Sequence, residues 1–236
     1  MDRLSTSPHV SVNKLGRYLT ATPALRKRLI HAQKHPPEPH YLRYPEAAQA
    51  ISDFLCRGQD EALLRQHQHR LATTVYAEPF EAHRAQLCIE AIERYRELHP
   101  RLGLQDLVAS EVGHEPPALL VAGVSIRVWP QVVLQAVDRL GHNKVGVMKL
   151  YFSKHHPLEE RSGQYIATLL QAFAEQHLAA LGPVDPRLVR VVDVFAGREY
   201  LAPKARTRRL SDVQLACEEI AARWPVQSLV ARGPGR

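Results

Sequence analysis

The sequence predicts an α/β protein of the α+β kind: a mixed central sheet of about four to five strands with flanking helices, preceded by a helical N-terminal region. Three observations carry this prediction. From Leu15 to Tyr95 apolar residues recur at helical spacing, interrupted by Pro and Gly. Beyond Pro117 the pattern changes to β-branched runs separated by turn residues. A helix, strand, helix series then runs to Trp224. The two parts, 1–116 and 117–236, read as a helical region packed on an α/β core.

Each predicted helix has a local reason. Leu15 and Leu19 lie one turn apart on a single face. Thr22 and Pro23 read as N-cap and first helical residue. That helix turns Leu25, Leu29 and Ile30 inward and Arg26, Lys27, Arg28 and Lys34 outward, and it stops before Pro36 and Pro37. Ala47, Ile51, Phe54 and Leu55 stripe a helix that follows Pro45 and ends at Gly58. The stretch 59–76 continues as helix. A long helix over 79–98 buries Ala85, Cys88, Ile89, Ile92 and Tyr95, and Pro100 closes it.

The runs 118–128, 131–137 and 145–152 read as an antiparallel meander. Trp129 and Pro130 mark the first break; Gly141 and Asn143 make the second turn. Alternation in the third run places Val145, Val147, Lys149 and Tyr151 on one face and Met148, Leu150 and Phe152 on the other. A helix within 156–181 carries Ile166, Leu169, Leu170 and Phe173 inward. A strand pair follows within 187–203, turning at Ala196 and Gly197. The final helix is read as capped by Ser211, with Gln214 in the capping-box position and Val213, Ala216, Cys217, Ile220 and Trp224 facing the core.

Composition narrows the function. No apolar run reaches the roughly 18 residues that a membrane span needs, and Met1 to Leu15 lacks a signal-peptide core. A cytoplasmic protein with no membrane partner is expected. Cys56, Cys88 and Cys217 stand apart with no CxxC pair, so reduced thiols are expected rather than disulfides or zinc ligands. The absence of GxSxG, GxGxxG and GxxxxGK removes serine catalysis and a nucleotide cofactor. The 13 histidines form no HExxH frame. His67 and His69 fall on different helix faces, His155 and His156 are adjacent in a loop, and His35 and His40 lie in a proline-rich linker. No metal site is expected from them.

Charge points to an anionic partner, nucleic acid first. Lys and Arg total 31 against 24 acids, a net charge of +7. The distribution is uneven: Arg3, Lys14, Arg17, Arg26, Lys27, Arg28 and Lys34 precede Pro37 with no acid among them. A second basic group, Lys204, Arg206, Arg208 and Arg209, is read as a loop. Tyr18, Tyr41 and Tyr44 are candidate stacking residues, but aromatic residues are only 6% of the chain, too few to specify a stacking platform.

The order strand, strand, strand, helix, strand, helix is joined by Pro130-Gln131 before the second strand and Val147-Met148-Lys149 on the third. This combination resembles the PD-(D/E)XK nuclease superfamily, especially its lambda-exonuclease-like branch. The resemblance covers less than half of the chain. In that family a Pro-Asp opens the second strand and an acid-x-Lys lies on the third; the carboxylates hold Mg²⁺, and the lysine activates water or steadies the phosphate. Here Gln131 and Val147 stand where the carboxylates would be. Mg²⁺ requires anionic oxygen ligands, Gln131 offers a neutral carbonyl, and Val147 offers nothing.

The resemblance therefore implies a nucleic-acid-binding protein with a nuclease-like core that lacks metal-dependent catalysis and needs no cofactor, an accessory subunit in bacterial defence, recombination or mobile-element biology. The residues expected to meet nucleic acid are Arg17, Arg26, Lys27, Arg28, Lys34, Arg127, Lys144, Lys149, Lys154, Lys204, Arg206, Arg208 and Arg209. One alternative is a Mg²⁺-dependent nuclease with Lys149 as catalytic residue and relocated acids from Asp106, Glu111, Glu115 or Asp138. Another is an adaptor subunit whose basic face meets an acidic protein partner.

Overall fold

The computed structural model describes residues 7–34, 44–113 and 115–224. Arg3, His35, Pro36, Pro37, His40 and Tyr41 lie outside them. Strand β1 (His9–Ser11) runs straight into helix α1 (Val12–Thr20), because the Ser11 hydroxyl accepts the Lys14 N–H at 3.4 Å and caps the helix. Helix α2 (Pro23–Lys34) starts where Thr22 and Pro23 predict, with Thr22 Oγ1 accepting the Leu25 N–H at 3.4 Å. Next come α3 (Pro45–Cys56), α4 (Glu61–Thr73), capped by Asp60, and α5 (Pro79–Leu98). No helix among the described residues is long and apolar enough to cross a membrane.

The remainder is mixed. In chain order it contains β2 (Val108–Glu111), β3 (Leu119–Val121), β4 (Val124–Arg127), β5 (Val132–Val137), β6 (Asn143–Tyr151), α6 (Glu160–His177), β7 (Arg190–Asp193), β8 (Arg198–Leu201) and α7 (Thr207–Arg223). Two mixed sheets result. The larger runs β2-β5-β6-β7-β8, with β6 and β7 parallel and the other neighbours antiparallel. The smaller runs β1-β4-β3, with β1 parallel to β4.

The expected meander is corrected in its first member. The run 118–128 is not one strand beside β5. It folds on itself as the β3–β4 hairpin and joins the other sheet. Ala122 and Gly123 take φ of 46° and 75°, the two left-handed residues that a tight hairpin turn of the primed kind needs. The place beside β5 is filled by β2, from before residue 117.

The larger sheet has a core on each face. Val133, Val145, Val147 and Val191 pack with α1, α6, α7 and the small sheet. Val132, Leu134, Met148, Leu150 and Val192 pack with α3, α4 and α5. Both sheets and both cores draw residues from either side of the 116/117 division. Close contact is built in at Gly146 on β6, where an added Cβ would lie 2.3 Å from the Leu188 carbonyl oxygen.

The start of the last helix is also corrected. It begins at Thr207, not at Ser211, which lies within its second turn. Arg208 and Arg209 are thus first-turn helical residues rather than loop residues. Arginine is a good helix former, so the helix extends back through them.

Candidate nucleic-acid interface

The nuclease-like positions are brought together, but inside the protein. The β5–β6 ladder pairs Val132 with Met148, and one further step sets Gln131 beside Lys149. The Gln131 main-chain N–H donates to Met148 O at 2.8 Å, and its side-chain oxygen accepts the Leu150 N–H at 2.6 Å. That amide oxygen is therefore part of the sheet's own bonding. Val147 is fully buried opposite Val133. Pro130 is buried as well. These residues do not fit a Mg²⁺ ion.

Lys149 corrects the expectation that it meets nucleic acid. It is only 7% exposed, and its ammonium donates to Trp129 O at 2.7 Å. Burial pushes its pKa down to about 8. Among the described residues no hydrogen bond or ion pair joins a carboxylate to Lys149, so the relocated-acid reading lacks a partner for it. Glu111 pairs with Val132 and so belongs to the opposite face of the sheet. Asp106 and Glu115 are exposed. Asp138 is a turn residue, held down to about 2 by the His142 and Leu140 N–H groups and by Lys144, 3.4 Å away.

One carboxylate near the motif was not anticipated. Asp193 on β7 pairs with Tyr151 and so shares the face of Lys149 one strand over. It is completely buried and accepts the Leu158 N–H at 2.8 Å and the Ala196 N–H at 3.1 Å. Burial holds its carboxyl above the usual range, and both oxygens serve the loops around α6 and β7. It is a structural residue. Among the described residues no group of three His, Cys, Asp or Glu side chains converges to hold a metal.

Trp129, whose carbonyl accepts the Lys149 hydrogen bond, has φ of 45°. For a bulky residue this left-handed backbone costs about 1–3 kcal/mol. The residue is nevertheless 51% exposed.

The other predicted cations divide into committed and available groups. Lys144 pairs with Asp138, Lys154 with Glu90, and Arg206 with Glu175 at 2.7 Å. Lys34 donates to Arg223 O at 2.5 Å. Lys144, Lys149 and Lys154 do not form a common row: one ends a hairpin, one is in the core, and one lies beyond the strand. Arg17, Lys27, Arg28, Arg127 and Lys204 are exposed.

Arg26, Arg208 and Arg209 converge. They line a cleft of about 590 Å³ between α2, α6 and α7, joined by Arg161 from the first turn of α6. Arg26 pairs with Glu219 at 3.1 Å, donates to Tyr18 O at 3.2 Å and lies 5.1 Å from the centre of the Tyr18 ring. Glu219 also holds Arg223 at 2.7 Å. The Tyr165 hydroxyl donates to Asp212 at 2.6 Å, and Arg209 donates to Gln164. Arg208 forms no ion pair among the described residues, and Arg161 lies beside the Tyr165 hydroxyl. The lining holds two carboxylates, Asp212 and Glu219, against four guanidinium groups. Guanidinium forks suit phosphate oxygens, which accept two parallel N–H bonds. Arg161 escaped the sequence reading because Glu159 and Glu160 precede it and cancel the local charge.

No protein-family model matches this chain, and a search of curated proteins finds no similar one.

Proposed function

We propose that this chain binds nucleic acid on a nuclease-like scaffold and does not cleave it by the metal chemistry of the superfamily it resembles. The observation that carries the reading is the cleft of Arg26, Arg161, Arg208 and Arg209, whose positive charge exceeds its negative charge. Arg161 and Arg208 are its available donors. The nuclease-like part rests on the larger sheet. Strands β2, β5 and β6 run antiparallel in turn, α6 crosses over, β7 lies parallel to β6, and α7 follows. Pro130-Gln131 opens the second of these strands and Lys149 lies on the third. The non-catalytic part rests on Gln131, whose oxygen is taken by Leu150, and on the sealed Val147.

Fluorescence anisotropy with labelled single-stranded and duplex oligonucleotides tests this across a salt series. Affinity is expected to fall steeply with salt, at about 0.7–0.9 log units per log unit of salt for each phosphate neutralised. Binding that does not respond to salt, or no binding, overturns the reading. Capture of polyglutamate in preference to oligonucleotide assigns the cleft to an acidic protein partner instead. Incubation with Mg²⁺ or Mn²⁺ is expected to leave the oligonucleotides intact; cleavage abolished by Lys149→Ala overturns the non-catalytic part.

A further inference from the structure

Three unfavourable choices meet at one place on this fold. Trp129 has a left-handed backbone, which only Gly adopts freely. Its position before Pro130 restricts it further. The residue is 51% exposed, whereas the other tryptophan, Trp224, is 5% exposed and belongs to the core. The carbonyl that the turn presents is held by an ammonium ion, Lys149 Nζ at 2.7 Å, buried without a carboxylate partner. The fold requires none of these. Glycine at 129 would remove the strain and the exposed ring, and methionine at 149 would fill the core without burying a charge. Together they keep one large aromatic plane in solvent at a fixed orientation. Sequence choices that break local rules at contiguous atoms are expected at functional or strained sites.

The surroundings select the ligand. Arg127, exposed on β4, is separated from Trp129 only by the buried Val128. The β1–β4 register sets Ser11 beside Arg127 and so brings the start of α1 to the same strand, where the Lys14 ammonium donates to Gln33 Oε1 at 2.8 Å. An exposed tryptophan with an exposed guanidinium two residues before it matches an unpaired nucleobase and its phosphate, because every base offers a π-face and the backbone supplies the charge. A base inside a duplex is stacked on both sides and presents only its edges.

We infer that Trp129 is a stacking platform for an unpaired base, positioned by Lys149, with the neighbouring Arg127 as a phosphate contact. This rests on the nucleic-acid reading and adds single-strand preference to it. It also gives the motif lysine a role: it fixes a main-chain turn instead of touching a reacting phosphate.

Tryptophan fluorescence tests the inference directly, since Trp129 is the exposed one of two tryptophans. Titration with a short oligothymidylate is expected to quench emission saturably. Trp129→Ala should weaken binding about 5- to 150-fold, the equivalent of one stacked base. Its salt slope should stay that of the unaltered protein, because no phosphate contact is lost. Trp129→Phe should recover most of the affinity. Lys149→Met should weaken binding and quenching together, although the residue cannot reach the ligand. Oligothymidylate that binds without quenching, and equally well to Trp129→Ala, overturns the stacking role and leaves the arginine cleft standing. Tighter binding of duplex than of single strand also overturns it. No binding of any oligonucleotide overturns both readings.

Discussion

The side-chain oxygen of Gln131 accepts the main-chain N–H of Leu150 at 2.6 Å, which makes the first motif position an extra rung of the β5–β6 ladder. A glutamine suits this task because it reaches across the strand gap and carries no charge into a sheet whose Val147 is fully buried.

It follows that restoring the acidic letters will not restore a metal site. Gln131→Asp with Val147→Glu introduces a carboxylate into a sealed valine core. The double variant is expected to lose several kcal/mol of stability (~3–5 kcal/mol), and Mg²⁺ should not return it. Urea denaturation with and without Mg²⁺ measures both. Stabilisation by millimolar Mg²⁺ would show that the cleft opens after all.

Lys149 sets a pH dependence of stability. Its pKa falls from an ordinary 10.5 to about 8 on folding. Between these values the unfolded chain binds more protons than the folded one, so stability rises with pH across the window. Below about pH 8 the charged, buried form is a constant penalty. The urea midpoint of the native protein is expected to climb from pH 8 toward 10.5 more steeply than that of Lys149→Met. Parallel curves would exclude a buried titrating amine at this position.

The arginine cleft predicts a loss confined to electrostatics. Arg161→Ala and Arg208→Ala should each reduce the salt slope of oligonucleotide binding by about 0.7–0.9, with melting temperature unchanged. Arg206→Ala, which removes an ion pair with Glu175, should leave the slope alone. Equal effects of all three substitutions would point to diffuse surface charge rather than a site.

Gly146→Ala should destabilise the fold by about 1–3 kcal/mol, read as a lower thermal midpoint. The added methyl group meets the main-chain carbonyl of Leu188 at 2.3 Å, and backbone on both sides limits relaxation. A neutral outcome would require the segment Pro186–Leu188 to move outward, which proteolysis would reveal.

Strongly periodic segments were legible in the sequence. Helix α5 ends where Pro79 and Pro100 predict, and Ala85, Cys88, Ile92 and Tyr95 are its buried face. Short strands were not. Strand β1 spans three residues, and β2 shows an exposed-intermediate-intermediate-exposed pattern with no apolar alternation to read. Each exists because a partner strand offers hydrogen bonds, and the partner lies far along the chain.

The same contrast holds at the candidate sites. Alternation correctly placed Lys149 on the face of Val145 and Val147. It carried no information that α1 and α6 cover that face. Arg26, Arg208 and Arg209 were legible as charge, but their meeting with Arg161 depends on how α2, α6 and α7 pack. The left-handed backbone of Trp129 has no signature in the sequence, since glycine is the residue that would announce it.

The parallel pairing of His9–Ser11 with Ser125–Arg127 has a consequence for synthesis. A segment made early acquires its strand partner only after more than a hundred further residues have been added. At elongation rates of roughly 5–20 residues per second, that wait is on the order of ten seconds. Throughout it Val10, Val12 and Leu15, all buried in the finished protein, have no sheet to cover them. Pairing of β1 therefore waits until β4 has left the ribosome, and a fusion partner placed ahead of this segment would have to leave that late movement free.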